Sequence, residues 1–115
     1  MDTIIVAKQI TMDEIKNLAN FWFGDFVKAV VDLDLQIMAV GGELHADQEA
    51  ILLARQSKLE NLWGINLYPG LSEKDWIEFD SMINIRPRQN NRSRGIENEK
   101  TRKDIIELVT KLIKQ

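Results

Sequence analysis

The chain has no cysteine, one histidine and two prolines in its 115 residues. Without cysteine there is no disulfide framework, no thiolate metal site and no cysteine nucleophile, which fits a reducing compartment. One imidazole and no thiol fall short of the usual zinc ligand sets, so neither a metal nor a cofactor is expected. No apolar run approaches the roughly 18 residues that a membrane-spanning helix needs. The start, Met1-Asp2-Thr3-Ile4-Ile5-Val6-Ala7-Lys8, lacks the positive segment and long apolar stretch of a signal peptide. A cytoplasmic protein with no membrane partner is therefore expected. Also missing are a nucleophile elbow, a phosphate-binding glycine loop, a paired-histidine zinc motif and a dinucleotide fingerprint.

What is present is ordinary for a globular chain: 44% apolar and 29% charged residues. This length predicts a single domain spanning residues 1–115, with enough surface buried to form one core. The net charge of −3 conceals a division, with 6 Lys/Arg against 14 Asp/Glu in residues 1–85 and 9 against 4 in residues 86–115. Such a division suits either a basic nucleic-acid-binding tail or a C-terminal part docked on an acidic body; the second is preferred.

Thr3 to Ala7 reads as a strand or an ordered arm. Thr11-Met12-Asp13-Glu14 is a capping box opening a helix over Met12–Phe23, with Ile15, Leu18, Ala19 and Trp22 on its inner face and Gly24 ending it. Phe26–Leu33 and Gln36–Gly41 are expected as two strands joined at Asp34-Leu35, although that turn lacks Gly and Asn, and a helix with Phe23, Phe26, Val27, Val30 and Val31 on one stripe remains an alternative. Gln48–Gln56 carries good helix formers behind Asp47, a competent cap, but a strand remains an alternative. Leu62–Tyr68 alternates and is followed by Pro69-Gly70. Trp76–Arg86 alternates too, and is expected to pair with it as a hairpin that ends at Pro87. A last amphipathic helix is expected from Asn98 to Ile113, with Ile105, Leu108, Val109, Leu112 and Ile113 facing inward.

Three groups could carry chemistry. In Gly41-Gly42-Glu43-Leu44-His45-Ala46-Asp47, an extended backbone would point Glu43, His45, Asp47 and Glu49 the same way. Carboxylates beside an imidazole suit acid–base work, so Glu43, His45 and Asp47 are the candidate catalytic residues. The plain alternative is a glycine turn, a helix cap at Asp47 and a backbone-bonded His45. On the expected hairpin, Glu78, Asp80, Asn84 and Arg86 share a face that Asn66 and Tyr68 can join. That suits a polar ligand, and equally the wet face of a sheet. Arg86 to Arg94 holds four arginines and no acid. Arginine forks and the Asn91 amide suit anions, but without interleaved aromatics the pattern argues against nucleic acid.

Several segments together resemble a known family: Phe26 to Asp32, Met38-Ala39-Val40-Gly41-Gly42-Glu43-Leu44-His45-Ala46-Asp47, Leu62-Trp63-Gly64-Ile65-Asn66-Leu67-Tyr68-Pro69, Ile83-Asn84-Ile85-Arg86-Pro87 and Asn91-Arg92-Ser93. The chain is similar over nearly its whole length to small prokaryotic proteins known only as a domain of unknown function. The resemblance implies no activity, substrate or cofactor. It departs at Gln56, where the family carries glycine before the residue equivalent to Ser57, which leaves a tight turn there without its usual residue.

The expected fold is α+β: an antiparallel sheet of four to five strands with the N- and C-terminal helices on one face. The leading expectation for function is a module for a small polar or anionic ligand, with catalysis left open. It would use Glu43, His45 and Asp47 with Asn66, Asn84, Arg86, Asn91 and Arg92, provided that His45 and Arg86 share a pocket. The alternatives are an interaction protein without chemistry, such as a homodimer covering Trp22, Trp63, Trp76 and Met82, and nucleic-acid binding through residues 86–103.

Overall fold

The computed structural model describes residues 2–115. Strand β1 (Ile4–Val6) is followed by the two-residue β2 (Ile10–Thr11) and helix α1 (Met12–Trp22). Thr11 caps α1 as its capping box predicts, its hydroxyl accepting from the Glu14 amide at 3.1 Å. Strands β3 (Val27–Asp32) and β4 (Ile37–Val40) form the expected hairpin. Its turn is made by a side chain: Asp32 Oδ1 accepts from the amides of Asp34 and Leu35, both at 2.9 Å. Gln36 closes the turn at φ +58°. This supplies the turn chemistry that Asp34-Leu35 itself lacks.

Helix α2 (His45–Ala54) is a helix, as preferred, but it starts three residues earlier than expected. It ends in a Schellman arrangement: the Ser57 amide donates to Leu52 O and the Gln56 amide to Leu53 O. Gln56 sits at φ +74°, so the tight turn forms with a non-glycine residue in the left-handed position. Strand β5 (Leu62–Leu67) is buried along its whole length. Strand β6 is only Ile77–Glu78, and pairs Asn66 with Glu78. The strand expected over Trp76–Arg86 does not continue, because Ser81 caps a 3-10 turn at Met82–Asn84. Helix α3 (Glu99–Leu112) and β7 (Ile113–Lys114) complete the chain, and β7 lies parallel to β2, pairing Ile10 with Ile113.

The main sheet is antiparallel, in the order β1-β4-β3-β5-β6, and the class is α+β. The period-2 pattern sorts its side chains. Val27, Ala29, Val31, Met38, Val40, Trp63, Ile65 and Leu67 face α1 and α3, where Ile15, Leu18, Ile105, Leu108 and Leu112 close the larger core. The opposite face is covered as well. There Val30, Ala39 and Leu62 meet Leu52 of α2, with Ile83 at the edge. α2 covers only part of this face, and the sheet beyond its N-terminus is left open.

Candidate functional site

The site is built where β4 gives way to α2. Gly41 and Gly42, at φ +93° and +140°, turn the chain back over the sheet. Gln48 fixes the turn: fully buried, its Nε2 donates to Lys28 O at 2.7 Å and to Gly41 O at 2.8 Å. Thr3 Oγ1 donates to the same Gly41 carbonyl at 2.7 Å. The helical period then turns His45, Gln48 and Leu52 inward and Asp47 outward. The extended arrangement that would align Glu43, His45, Asp47 and Glu49 does not form. Glu43 and Asp47 are exposed, and the capping position is Leu44, not Asp47.

His45, 7% exposed, has Nε2 2.8 Å from Ile65 O. A carbonyl oxygen only accepts, so Nε2 carries the proton and Nδ1 keeps its lone pair. Burial lowers the imidazole pKa, and Lys28 adds to that; the Ile65 carbonyl, Asp80 and Asn66 oppose it. At neutral pH the ring is therefore an uncharged hydrogen-bond acceptor at Nδ1.

His45 lies in a cleft of about 440 Å³, roofed by Leu44 to Ala46 and bordered by Met82, Ile83 and Arg94. Asn66, 6% exposed, forms its floor. Its Nδ2 donates to Glu78 Oε1 at 2.9 Å and Asp80 O at 3.2 Å, while its Oδ1 is buried with no partner. The Tyr68 hydroxyl lies 3.3 Å from Glu78 Oε1. Burial, then the Glu78 charge, raises the tyrosine pKa, so the phenol stays protonated and donates. The Tyr68 ring stacks on Phe26 with centroids 5.1 Å apart, giving the cleft an aromatic wall. Lys28, opposite Asn66 in the β3–β5 register, also lines it. Arg94 reaches the cleft and pairs with Asp80 at 2.7 Å.

His45 and Asn66 thus come together, with Glu78, Asp80 and Tyr68 of the expected polar face. The other candidates are placed elsewhere, and Asn84, Arg86 and Asn91 serve the fold. Fully buried Asn84 bonds to Gly64 through both ends of its amide. Arg86 does not line the His45 cleft. Its guanidinium donates to the carbonyls of Ile83, Leu59 and Leu62 and lies 4.6 Å over the Trp63 ring. Asn91 Nδ2 donates to the carbonyls of Asn84 and Gly95, and its Oδ1 accepts from the Glu97 amide. Arg92 is exposed, and its guanidinium makes no hydrogen bond among the described residues. The arginine loop does fold back toward His45, but through Arg94.

Past the loop, the basic residues at the start of α3 have partners. Arg102 donates to the carbonyls of Ile96 and Glu97, and Lys100 and Lys103 pair with Asp104 and Glu99. A second cleft of about 510 Å³ lies by Trp63, Asn61, Gln89 and Asn98. It has no cation in its lining, and its amide side chains at Gln89, Asn91 and Asn98 are already bonded within the protein. The sequence reading missed Lys28 and Gln48. The spacing of His45, Gln48 and Leu52 held the signal for Gln48, and the β3–β5 register that for Lys28.

Residues 4–112 match the model of a family described as a protein of unknown function (DUF5674), in agreement with the resemblance carried by the motifs above. No curated protein and no solved structure matches the chain.

Proposed function

The chain belongs to the DUF5674 family of proteins of unknown function, and we propose, from the site rather than the family, that it binds a small polar ligand in the His45 cleft. One observation carries this reading: the buried polar side chains of His45 and Asn66 meet in an open cleft of about 440 Å³, within the size range of small-molecule sites. Buried polar atoms are ordinarily paired, and Asn66 Oδ1 is not. The neutral imidazole, held by Ile65 O through Nε2, is suited to take a hydrogen bond or a proton from a ligand at Nδ1. Leu44 and Met82, 52% and 65% exposed, offer apolar surface at the rim.

The test is a library of small polar compounds screened against ¹⁵N-labelled protein by amide chemical shifts. Hits are expected to move Leu44 to Ala46 and the Asn66 side chain, and to lose that effect in His45→Gln. A screen whose saturable hits all map outside the cleft, or which yields none, rejects the reading.

A second reading, a homodimer without chemistry, does not rest on the tryptophans, since Trp63 and Trp76 are buried and Trp22 is half-buried; it is favoured by the exposed apolar side chains of Leu44, Met82, Ile51 and Ile85. It requires the mass measured by light scattering to rise with concentration. A constant monomer mass removes it.

A further inference from the structure

The polar groups of the His45 cleft are unevenly spent, and the imbalance specifies what is missing. On the donor side, both Asn66 Nδ2 hydrogens are used, on Glu78 Oε1 and Asp80 O. The Tyr68 hydroxyl is used on Glu78 Oε1, and His45 Nε2–H on Ile65 O. On the acceptor side, Asn66 Oδ1 is buried and unmet. His45 Nδ1 keeps its lone pair. Glu78 receives both its contacts at Oε1, and among the described residues it makes no ion pair. His45, Asn66, Tyr68 and Glu78 therefore have acceptors to offer and no donor left.

The lining also holds two cations, half-buried Lys28 and exposed Arg94. Arg94 is exposed and held by Asp80, and Lys28 Nζ lies 5.2 Å from the Phe23 ring centroid. A half-buried carboxylate with unused capacity favours a charged donor over a neutral one, because charge-assisted bonds are stronger and are least screened away from water. The stacked Phe26 and Tyr68 rings add a wall that a cation can face.

We infer that the cleft takes a small molecule through a cationic nitrogen head group, a primary ammonium or guanidinium, seated among Glu78, Asn66 and His45. This rests on the ligand-binding reading above and narrows it from a polar ligand to one bearing a cation. An acidic group on the same molecule would meet Lys28 or Arg94. An anion alone would place its charge against Glu78 and the unmet Asn66 oxygen, where like charge and acceptor repel it.

Matched probes test this by NMR titration of the whole chain: benzylammonium, benzyl alcohol and benzoate at equal ionic strength. Benzylammonium is expected to shift Leu44 to Ala46 and the Asn66 side-chain amide saturably, with the other two at least several-fold weaker. Glu78→Gln, with its amide spectrum checked for a native fold, is expected to weaken benzylammonium about tenfold, the loss of one charge-assisted contact. If Glu78→Gln does not fold, Asn66→Leu is to be used, with the same expected loss. Benzoate or benzyl alcohol binding as well as the amine overturns the inference but leaves the cleft a ligand site. No saturable shift with any probe overturns the inference, and the library screen then decides separately whether the cleft binds anything.

Discussion

Asn84 pairs with Gly64 as a neighbouring strand would: the Gly64 amide donates to Asn84 Oδ1 at 2.8 Å, and Asn84 Nδ2 donates to Gly64 O at 2.9 Å. One side chain thus serves both backbone groups of a β5 residue at the point where β6 has already ended. Asn84→Ala leaves both groups buried and unpaired, for an expected loss of about 2–4 kcal/mol. Urea denaturation followed by tryptophan fluorescence measures it. A loss within about 0.5 kcal/mol, the usual range for a surface change, would show that the pairing is dispensable.

Gly64 is needed for a steric reason. A Cβ added there would lie 2.6 Å from Ser81 Cβ and Oγ and 3.1 Å from Ile83 Cγ1. Gly64→Ala is expected to cost about 1–3 kcal/mol through overpacking. Adding Ser81→Gly removes the closest clash, so the double variant should fall short of the sum of the two single losses. Strict additivity in thermal or urea denaturation would refute the clash.

Arg86 is a structural residue, and its geometry suits only a guanidinium. Three backbone carbonyls accept from it while its plane lies over Trp63. Arg86→Lys keeps the charge but loses the fork and the stacking, for an expected cost of about 1–3 kcal/mol. Ligand binding in the His45 cleft is expected to be unchanged wherever the variant is folded.

Gln56 occupies the left-handed position that ends α2 at φ +74°. Gln56→Gly removes the Cβ strain there and is expected to stabilise by about 0.5–1 kcal/mol. A drop in the urea midpoint would show that the Gln56 side chain contributes more than its backbone costs.

His45 makes stability depend on pH with a definite sign. Its pKa in the fold lies below the free value of 6.5, chiefly through burial. Between the two values the unfolded chain binds the extra proton. The contribution of the neutral ring is therefore full above pH 6.5, declines as pH falls through it, and levels off below the folded pKa. Unfolding free energies at about pH 7.5 and about pH 5.5 should differ less in His45→Gln than in the parent. The raised carboxyl of Glu49 acts in the opposite sense, and it is common to both proteins. A His45 ring proton titrating by NMR at or above 6.5 contradicts the prediction.

Much of the fold was legible because local chemistry and tertiary packing agree. Thr11 and Glu14 announce α1, the β-branched run marks β3, and the apolar stripe from Ile105 to Leu112 marks α3. The exceptions lie where side chains replace backbone partners. The alternation from Trp76 to Arg86 reads as one long strand, yet Ile77 and Phe79 pack on one core and Ile83 on the other, because Ser81 and Asn84 redirect the chain between them. The same substitution hides the roles of Arg86 and Asn91, whose donors are aimed at carbonyls far away in sequence. At the site, an extended reading of Glu43 to Glu49 aligned the wrong set of carboxylates, because the helix begins at His45. His45 and Asn66 are the sequence candidates that the structure brings to one cleft.

The small ladder of β2 and β7 joins Ile10 to Ile113 and Thr11 to Lys114, and so ties the residues just before α1 to those just after α3. During synthesis these partners leave the ribosome at nearly opposite times. The β3–β4 hairpin can pair and meet α1 as soon as it emerges, but the side of the larger core that α3 closes waits until α3 is made. The larger core, which α1 and α3 close together, is therefore completed only when Ile113 and Lys114 are free to dock.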